Sequence, residues 1–232
     1  NVEIAPGFDK LAAGSALVAF KNLRSSIGGV GAELGYKWSL GATTNLVRYQ
    51  SGGHAAWRNF PMGYGTFEIG TPLPLHHSAL WMRTAAGYSP GERSDPFANF
   101  YFGAFGNNRL DYQEPRRYRD YAAFPGVALD EIAGTSFTKA MLDWNLPPRR
   151  FRGLGNTAFY VSWVSASIFT SGLVTNLDSA SDRVTVGNLG AQADVRITVL
   201  VQQPLTFSVG YARAFGKDRA PSHETMVSLK IL

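Results

Sequence analysis

The sequence contains no cysteine, which excludes a disulfide framework and any thiolate metal site. No stretch approaches the roughly 18 consecutive apolar residues that a transmembrane helix requires. That excludes a helical membrane protein. A membrane barrel is not excluded, because alternating strands average away in hydropathy, and the mean hydropathy here is −0.10. Histidine is scarce, with only His54, His76, His77 and His223. There is no GxSxG nucleophile elbow, no P-loop and no dinucleotide fingerprint. Charge is sparse as well, and a net +5 over 232 residues fits a solvated rim or attraction to anionic lipid headgroups. The chain opens at Asn1 without a visible signal peptide and reads as a mature or truncated form.

What the sequence does have is alternation. From Asn188 to Gln202 the odd positions Leu189, Ala191, Ala193, Val195, Ile197, Val199 and Val201 are all apolar. The even positions, among them Asn188, Gln192, Asp194, Arg196 and Thr198, are nearly all polar. A period of two sustained this long is a strand with one apolar and one polar face. Its length exceeds the ~5–6 residues of a typical soluble strand and suits a tilted membrane strand of about 9–11 residues.

The same period recurs along the chain. A first strand is expected over 10–23, after a lead-in of irregular sequence. A second begins at Ala32, with a tight turn at Ser39–Gly41 and a return strand through Tyr49, or else one long strand. Residues 51–60, with Gly52 and Gly53, read as a loop. Gly63–Thr71 and Ala79–Tyr88 form a hairpin about Pro72 and Pro74, prolines that cannot donate into a ladder. Phe97–Phe105 reads as an aromatic strand, turning at Asn107–Asn108 into a strand over 109–119. Residues 120–134 are a longer connection. Strands are then expected over 138–146, 157–169, 188–202, 205–212 and 224–232. The count of about twelve predicts one all-β domain over 1–232, a transmembrane antiparallel up-and-down β-barrel.

Residues Phe124-Pro125-Gly126 in the long connection, Gly134, and the segment LDWNLPP from Leu142 to Pro148 carry a resemblance. With the final hairpin, they make the chain from about Phe97 onward similar to the C-terminal barrel of the BamA-like outer-membrane superfamily, the bacterial surface antigens, and in particular to barrels that follow TolB-like propellers. The resemblance implies a sixteen-stranded barrel of which this chain would be the C-terminal part, and a role in protein insertion or translocation. Two positions depart from the pattern. Pro125 stands where the family carries an arginine that latches the loop to the wall, and the last residue is Leu232 rather than an aromatic.

The wet faces of the strands supply the candidate site. Lys139, Asp143, Asn145, Gln192, Asp194, Arg196, Ser228 and Lys230 are expected to line the lumen, with Asp194 and Arg196 able to pair across it. Leu189, Val195, Ile197, Val199, Leu205, Phe207 and Val209 are expected to face lipid. Side chains could fill such a lumen as a salt-bridged plug, or leave it open to small solutes. His76 and His77 read as a solvated turn rather than a metal site. Ser222, His223 and Glu224 are too close in sequence for a strand to aim them at one point. The basic clusters Arg116, Arg117, Arg119 and Arg149, Arg150, Arg152 suit headgroup contacts or solvation better than nucleic acid.

The expectation is a non-enzymatic, porin-like protein of the Gram-negative outer membrane, structural or channel-forming, needing no cofactor. Its partners would be outer-membrane lipid or lipopolysaccharide, with a homo-oligomer or larger envelope assembly possible. A lipid hydrolase embedded in the barrel is a further alternative.

Overall fold

Sustained alternation becomes long strands. The computed structural model describes residues 8–51, 54–106, 110–111, 114–156, 158–200, 203–217 and 219–231. Nine long strands form the wall: β1 (Phe8–Arg24), β2 (Leu34–Ser51), β3 (His54–Pro72), β4 (Ala79–Tyr88), β8 (Ser136–Asn145), β10 (Phe159–Thr175), β11 (Val184–Val199), β12 (Gln203–Gly216) and β13 (Arg219–Ile231). Four short ones accompany them: β5 (Phe100–Phe102), β6 (Leu110–Asp111), β7 (Ile132–Gly134) and β9 (Arg149–Arg150). Two 3-10 turns, Pro96–Ala98 and Arg117–Arg119, complete the set among the described residues.

The main sheet has eleven strands in the order β1-β2-β3-β4-β8-β10-β11-β12-β13-β6, with β9 beside β10. All neighbouring long strands are antiparallel. The class is therefore all-β and barrel-like, an up-and-down antiparallel wall. Among the described residues it is not closed. There β1 pairs only with β2, while β13 has β12 on one side and a two-residue parallel contact with β6 on the other. We call the end where β1 starts the proximal end and the opposite one the distal end.

Several segments differ from their sequence reading. Of the two readings open for residues 32–49 the structure takes the single long strand: no turn interrupts residues 39–41, and β2 runs through them paired with both β1 and β3. The segment 51–60 is mostly strand, since β3 starts at His54 and pairs back along β2. Alternation there is masked by Trp57, Asn59 and Pro61, whose side chains are exposed. Phe97–Phe105 is not a wall strand. Its middle, β5, pairs with β7 in a separate two-stranded sheet. The Asn107–Asn108 turn lies outside the described residues, as do residues 109, 112 and 113; the described remainder of the strand expected over 109–119 is not a wall strand but the two-residue β6 and, at its end, the 3-10 turn at Arg117–Arg119. Residues 89–135 thus leave the proximal end of β4 and return to the proximal end of β8, while β4 and β8 pair directly.

This insert explains the core. Phe100, Phe102, Phe124, Val127 and Ile132 from the insert pack with Phe137, Leu173, Val186 and Ala214 from the wall. A second cluster joins Phe105 and Tyr118 of the insert to Met141, Phe169, Ala212 and Met226. Tyr118 stacks on Phe169 with centroids 4.3 Å apart. The insert's aromatics are needed on the concave side, where a strand alone could not take them.

Burial is inverted relative to a water-soluble sandwich. On the concave face Glu68, Arg83, Lys139, Asp143, Asp194 and Lys230 are all buried. On the convex face Leu189 is 55% exposed, Val209 42%, Tyr211 53% and Val227 52%.

Candidate functional site

Cross-strand register places charges opposite one another on the concave face. Lys37 on β2 faces Glu68 on β3, which faces Arg83 on β4. Lys37 lies 2.8 Å from Glu68, and Arg83 forms an ion pair with the same carboxylate. Directly opposed charges of unlike sign stabilise a sheet, so the three form a rung. Arg83 also reaches Asp143 of β8 at 3.3 Å.

The insert supplies the other half. Its tip turns Arg116, Tyr118 and Arg119 onto the wall. Arg119 lies 2.8 Å from Asp143. The Tyr118 hydroxyl lies 3.1 Å from the Asp143 carboxylate and 2.7 Å from the hydroxyl of Ser167 on β10. Arg116 donates to Asp194 of β11 at 2.6 Å, to the Asn145 side-chain carbonyl at 2.8 Å, and to Ser165. Arg119 donates to that same Asn145 oxygen at 2.6 Å. Asp194 also accepts from Gln192 and Ser208, each at 2.7 Å. A continuous belt of charge therefore runs from β2 to β12 through the tip of the insert. Burial of this kind is sustained only when each ion is paired and hydrogen-bonded.

On the insert itself, burial would lower the Arg119 pKa, but Asp143, Tyr118 and Asp194 together outweigh it and raise the pKa, so the guanidinium stays charged. Burial raises the Tyr118 phenol, which stays a donor. Burial also pushes Tyr121 up to about 12, where its ring stacks on Tyr64 at 4.5 Å.

The expected lumen residues share this face. Lys139, Asp143, Gln192, Asp194, Ser228 and Lys230 are buried, and Asn145 and Arg196 are half-buried. Lys139 donates to the backbone carbonyls of Asp120, Tyr121 and Ala123 in the insert. Asp194 is bonded to Arg116 rather than Arg196, and Arg196 forms no ion pair among the described residues. Of the expected outward set, Leu189, Phe207 and Val209 are exposed, whereas Val195, Ile197, Val199 and Leu205 are half-buried.

Phe124-Pro125-Gly126 lies in the insert, with the Phe124 ring fully buried. The Pro125 carbonyl accepts from Asn188 at 2.8 Å, and the Gly126 N–H donates to Glu224 at 3.0 Å. The Gly126 carbonyl accepts from Ser222. Pro125 offers no charge, yet the insert is ionically latched, through Arg116 and Arg119 a few residues earlier. These arginines point inward, not to headgroups. Arg150 in the other basic cluster donates to the Gly29 carbonyl.

Ser222 and Glu224 face inward while His223 is exposed and stacks near Tyr211; the three do not converge. His77 is joined to Glu33 at 3.0 Å and to Ser26 at 2.9 Å. No group of three potential metal ligands occurs among the described residues. Sequence reasoning missed Glu68, Arg83, Arg116, Tyr118 and Arg119. Strand parity alone marks Glu68 and Arg83, whereas the insert residues carry no periodic signal.

Between the insert tip and the inward faces of β2–β4 and β10–β13 lies a cavity of about 910 Å³. Eight Lys or Arg residues line it against five Asp or Glu, so its field is positive. No family model, no curated protein and no solved structure matches the chain.

Proposed function

We propose that this chain forms the wall of a bacterial outer-membrane β-barrel, a non-catalytic structural or channel-forming subunit whose lumen is narrowed by its own in-folded segment, residues 89–135. One observation carries the reading. Charged side chains are inside and large apolar ones outside, the arrangement a wall needs when lipid rather than water bathes its convex face. Exposed aromatics near both strand ends agree: Trp57, Tyr88 and Phe215 at the proximal end, Tyr36, Trp144 and Phe159 at the distal end. On β2, Tyr36 and Arg48, the partner of Trp57, stand twelve residues apart. At about 3.3 Å per residue and a tilt of about 45°, that is roughly 28 Å of height, against an apolar band of ~25 Å in such barrels.

In lipid the free edge of β1 would leave backbone groups unsatisfied at a cost of several kcal/mol each, so further strands must complete the wall. Both β1 and β13 run from proximal to distal, so joining them directly would make a parallel seam. An odd number of additional strands closes the wall antiparallel. The sixteen-stranded barrel implied by the resemblance is reached by adding seven.

A BamA-like role in protein insertion or translocation is the second reading. It is favoured by an insert held inside the wall through Arg119 and Asp143, with Asp143 on the first long strand after that insert. The test is assembly into lipid vesicles followed by planar-bilayer recording. Insertion with protease protection of the wall supports the barrel, and salt-dependent conductance steps support a residual channel. Protein that stays soluble, monodisperse and excluded from vesicles overturns the membrane reading.

A further inference from the structure

The distal mouth of the cavity carries an arrangement that the charge belt does not use. Register aligns Trp163, Arg196, Thr206 and Lys230 in one row across β10, β11, β12 and β13. All four line the cavity. Asp111 of β6 stands beside Lys230 in register, and the other carboxylates near this row are engaged or only loosely paired. Asp194, one rung deeper, is taken by Arg116, Gln192 and Ser208. Glu114 comes no nearer to Lys230 than 3.9 Å, and its side chain is 87% exposed. Arg196 has no partner among the described residues, nor does the hydroxyl of Thr206, a residue only 1% exposed. A guanidinium, a hydroxyl and an ammonium thus face the cavity from three adjacent strands, with roughly 10 Å between the outer two backbones. Both flanking chains are long enough to converge over Thr206. A planar fork beside a point charge is the donor set that oxyanions select.

We infer that Arg196, Thr206 and Lys230 form a binding site for a small oxyanion, a phosphate or carboxylate group. The positive excess of the lining raises the local concentration of such anions, and the cavity volume falls within the range of small-ligand sites. Arg196 would grip two oxygens, Lys230 a third, and the Thr206 hydroxyl donates from the floor between them. The site rests on the row and the cavity, and it holds whether or not the sheet lies in lipid.

The test uses the full chain folded in detergent and titrated with inorganic phosphate by calorimetry, with Trp163 fluorescence as a second readout and a Trp163→Phe control to assign the signal. The expected result is saturable binding that Arg196→Gln and Lys230→Gln each weaken at least fivefold and the pair abolishes. Arg152→Gln, in an exposed loop, leaves it unchanged. Thr206→Val, close in shape, keeps the fold and weakens binding severalfold, which separates loss of a donor from loss of structure. Phosphate binding that is equal in phosphatidylcholine and phosphatidylglycerol vesicles assigns the site to a free solute. Binding lost only in phosphatidylglycerol assigns it to a lipid headgroup. No saturable binding, or binding unchanged in the double variant, overturns the inference.

Discussion

Arg119 and Asp143 meet inside the wall with 2.8 Å between guanidinium nitrogen and carboxylate oxygen, and Asp143 is fully buried. The pair joins two segments that the sequence separates, the tip of the insert and the strand that follows it. Asp143 also serves Arg83 and Tyr118, so it is the hub through which insert and wall are held together.

Removing that hub leaves two guanidinium groups without their shared counter-ion. Asp143→Ala is expected to destabilise the folded protein by about 3–5 kcal/mol, the range for stranding one partner of a buried pair. Arg119→Met with Asp143→Leu should cost less than the two single changes added together. Denaturant midpoints for the four proteins give the coupling directly. Strictly additive effects would mean that the pair does not hold the insert.

The Gly126 backbone lies hard against β12. Its φ is +94°, and a Cβ there would stand 2.7 Å from the Ala214 backbone nitrogen. Gly126→Ala therefore meets both a clash and a left-handed backbone. The expected result is faster proteolysis within residues 120–131 while wall strands stay protected, together with a stability loss of roughly 1–3 kcal/mol. An insert as protease-resistant as the wild type would show that this close approach is not required.

The wall was legible because one physical pattern governs it. Residues 188–199 read as one strand, polar face against apolar face, and the structure pairs them on both sides in the same register parity. The hairpin between β3 and β4 was legible from Pro72 and Pro74. Less could be read where packing, not alternation, decides. Phe97–Phe105 has the composition of a strand, but its rings fill the concave side. Residues 54–60 pair along β2 because the preceding strand offers a template, although their own pattern is broken by Trp57 and Asn59. The inward parity of Lys139, Asp143 and Asp194 followed from their strands. Arg119 and Arg116, the partners of Asp143 and Asp194, did not, since only the folded insert brings residues so far apart in sequence into contact.

At the distal end Glu33 clips the β1–β2 loop to the β3–β4 loop through Ser26 and His77. Burial alone would raise the Glu33 pKa, but hydrogen bonds from Ser26 and His77 prevail and hold it below its ordinary 4.5. A carboxylate with a depressed folded pKa stabilises above its unfolded value and loses that contribution as pH falls through the folded one. The clip should therefore persist at pH 5 and release below the usual carboxylate range. Amide exchange in residues 25–33 should accelerate over that window, and Glu33→Gln should flatten the response. Exchange insensitive to pH in the wild type, once intrinsic rates are corrected, would refute the clip.

Ser208 and Val209 are adjacent on β12 yet face opposite worlds: Ser208 is fully buried and donates to Asp194, while Val209 is 42% exposed on the convex face. If lipid covers that face, Val209→Arg places a cation near mid-strand in hydrocarbon, at a cost of about 2–4 kcal/mol at the bilayer midplane. If water covers it, the same change exchanges one exposed side chain for another and should cost within about 0.5 kcal/mol. The measurement is the folded fraction in vesicles of matched thickness across a urea series, with Val209→Leu as the apolar control. A loss for arginine that is absent for leucine, and that vanishes when the arginine is placed instead in an exposed loop, as in Leu154→Arg, places the convex face in lipid. Equal stability of Val209→Arg and the wild type would place it in water, and the inverted burial of Asp143 and Asp194 would then belong to a soluble barrel with a polar core.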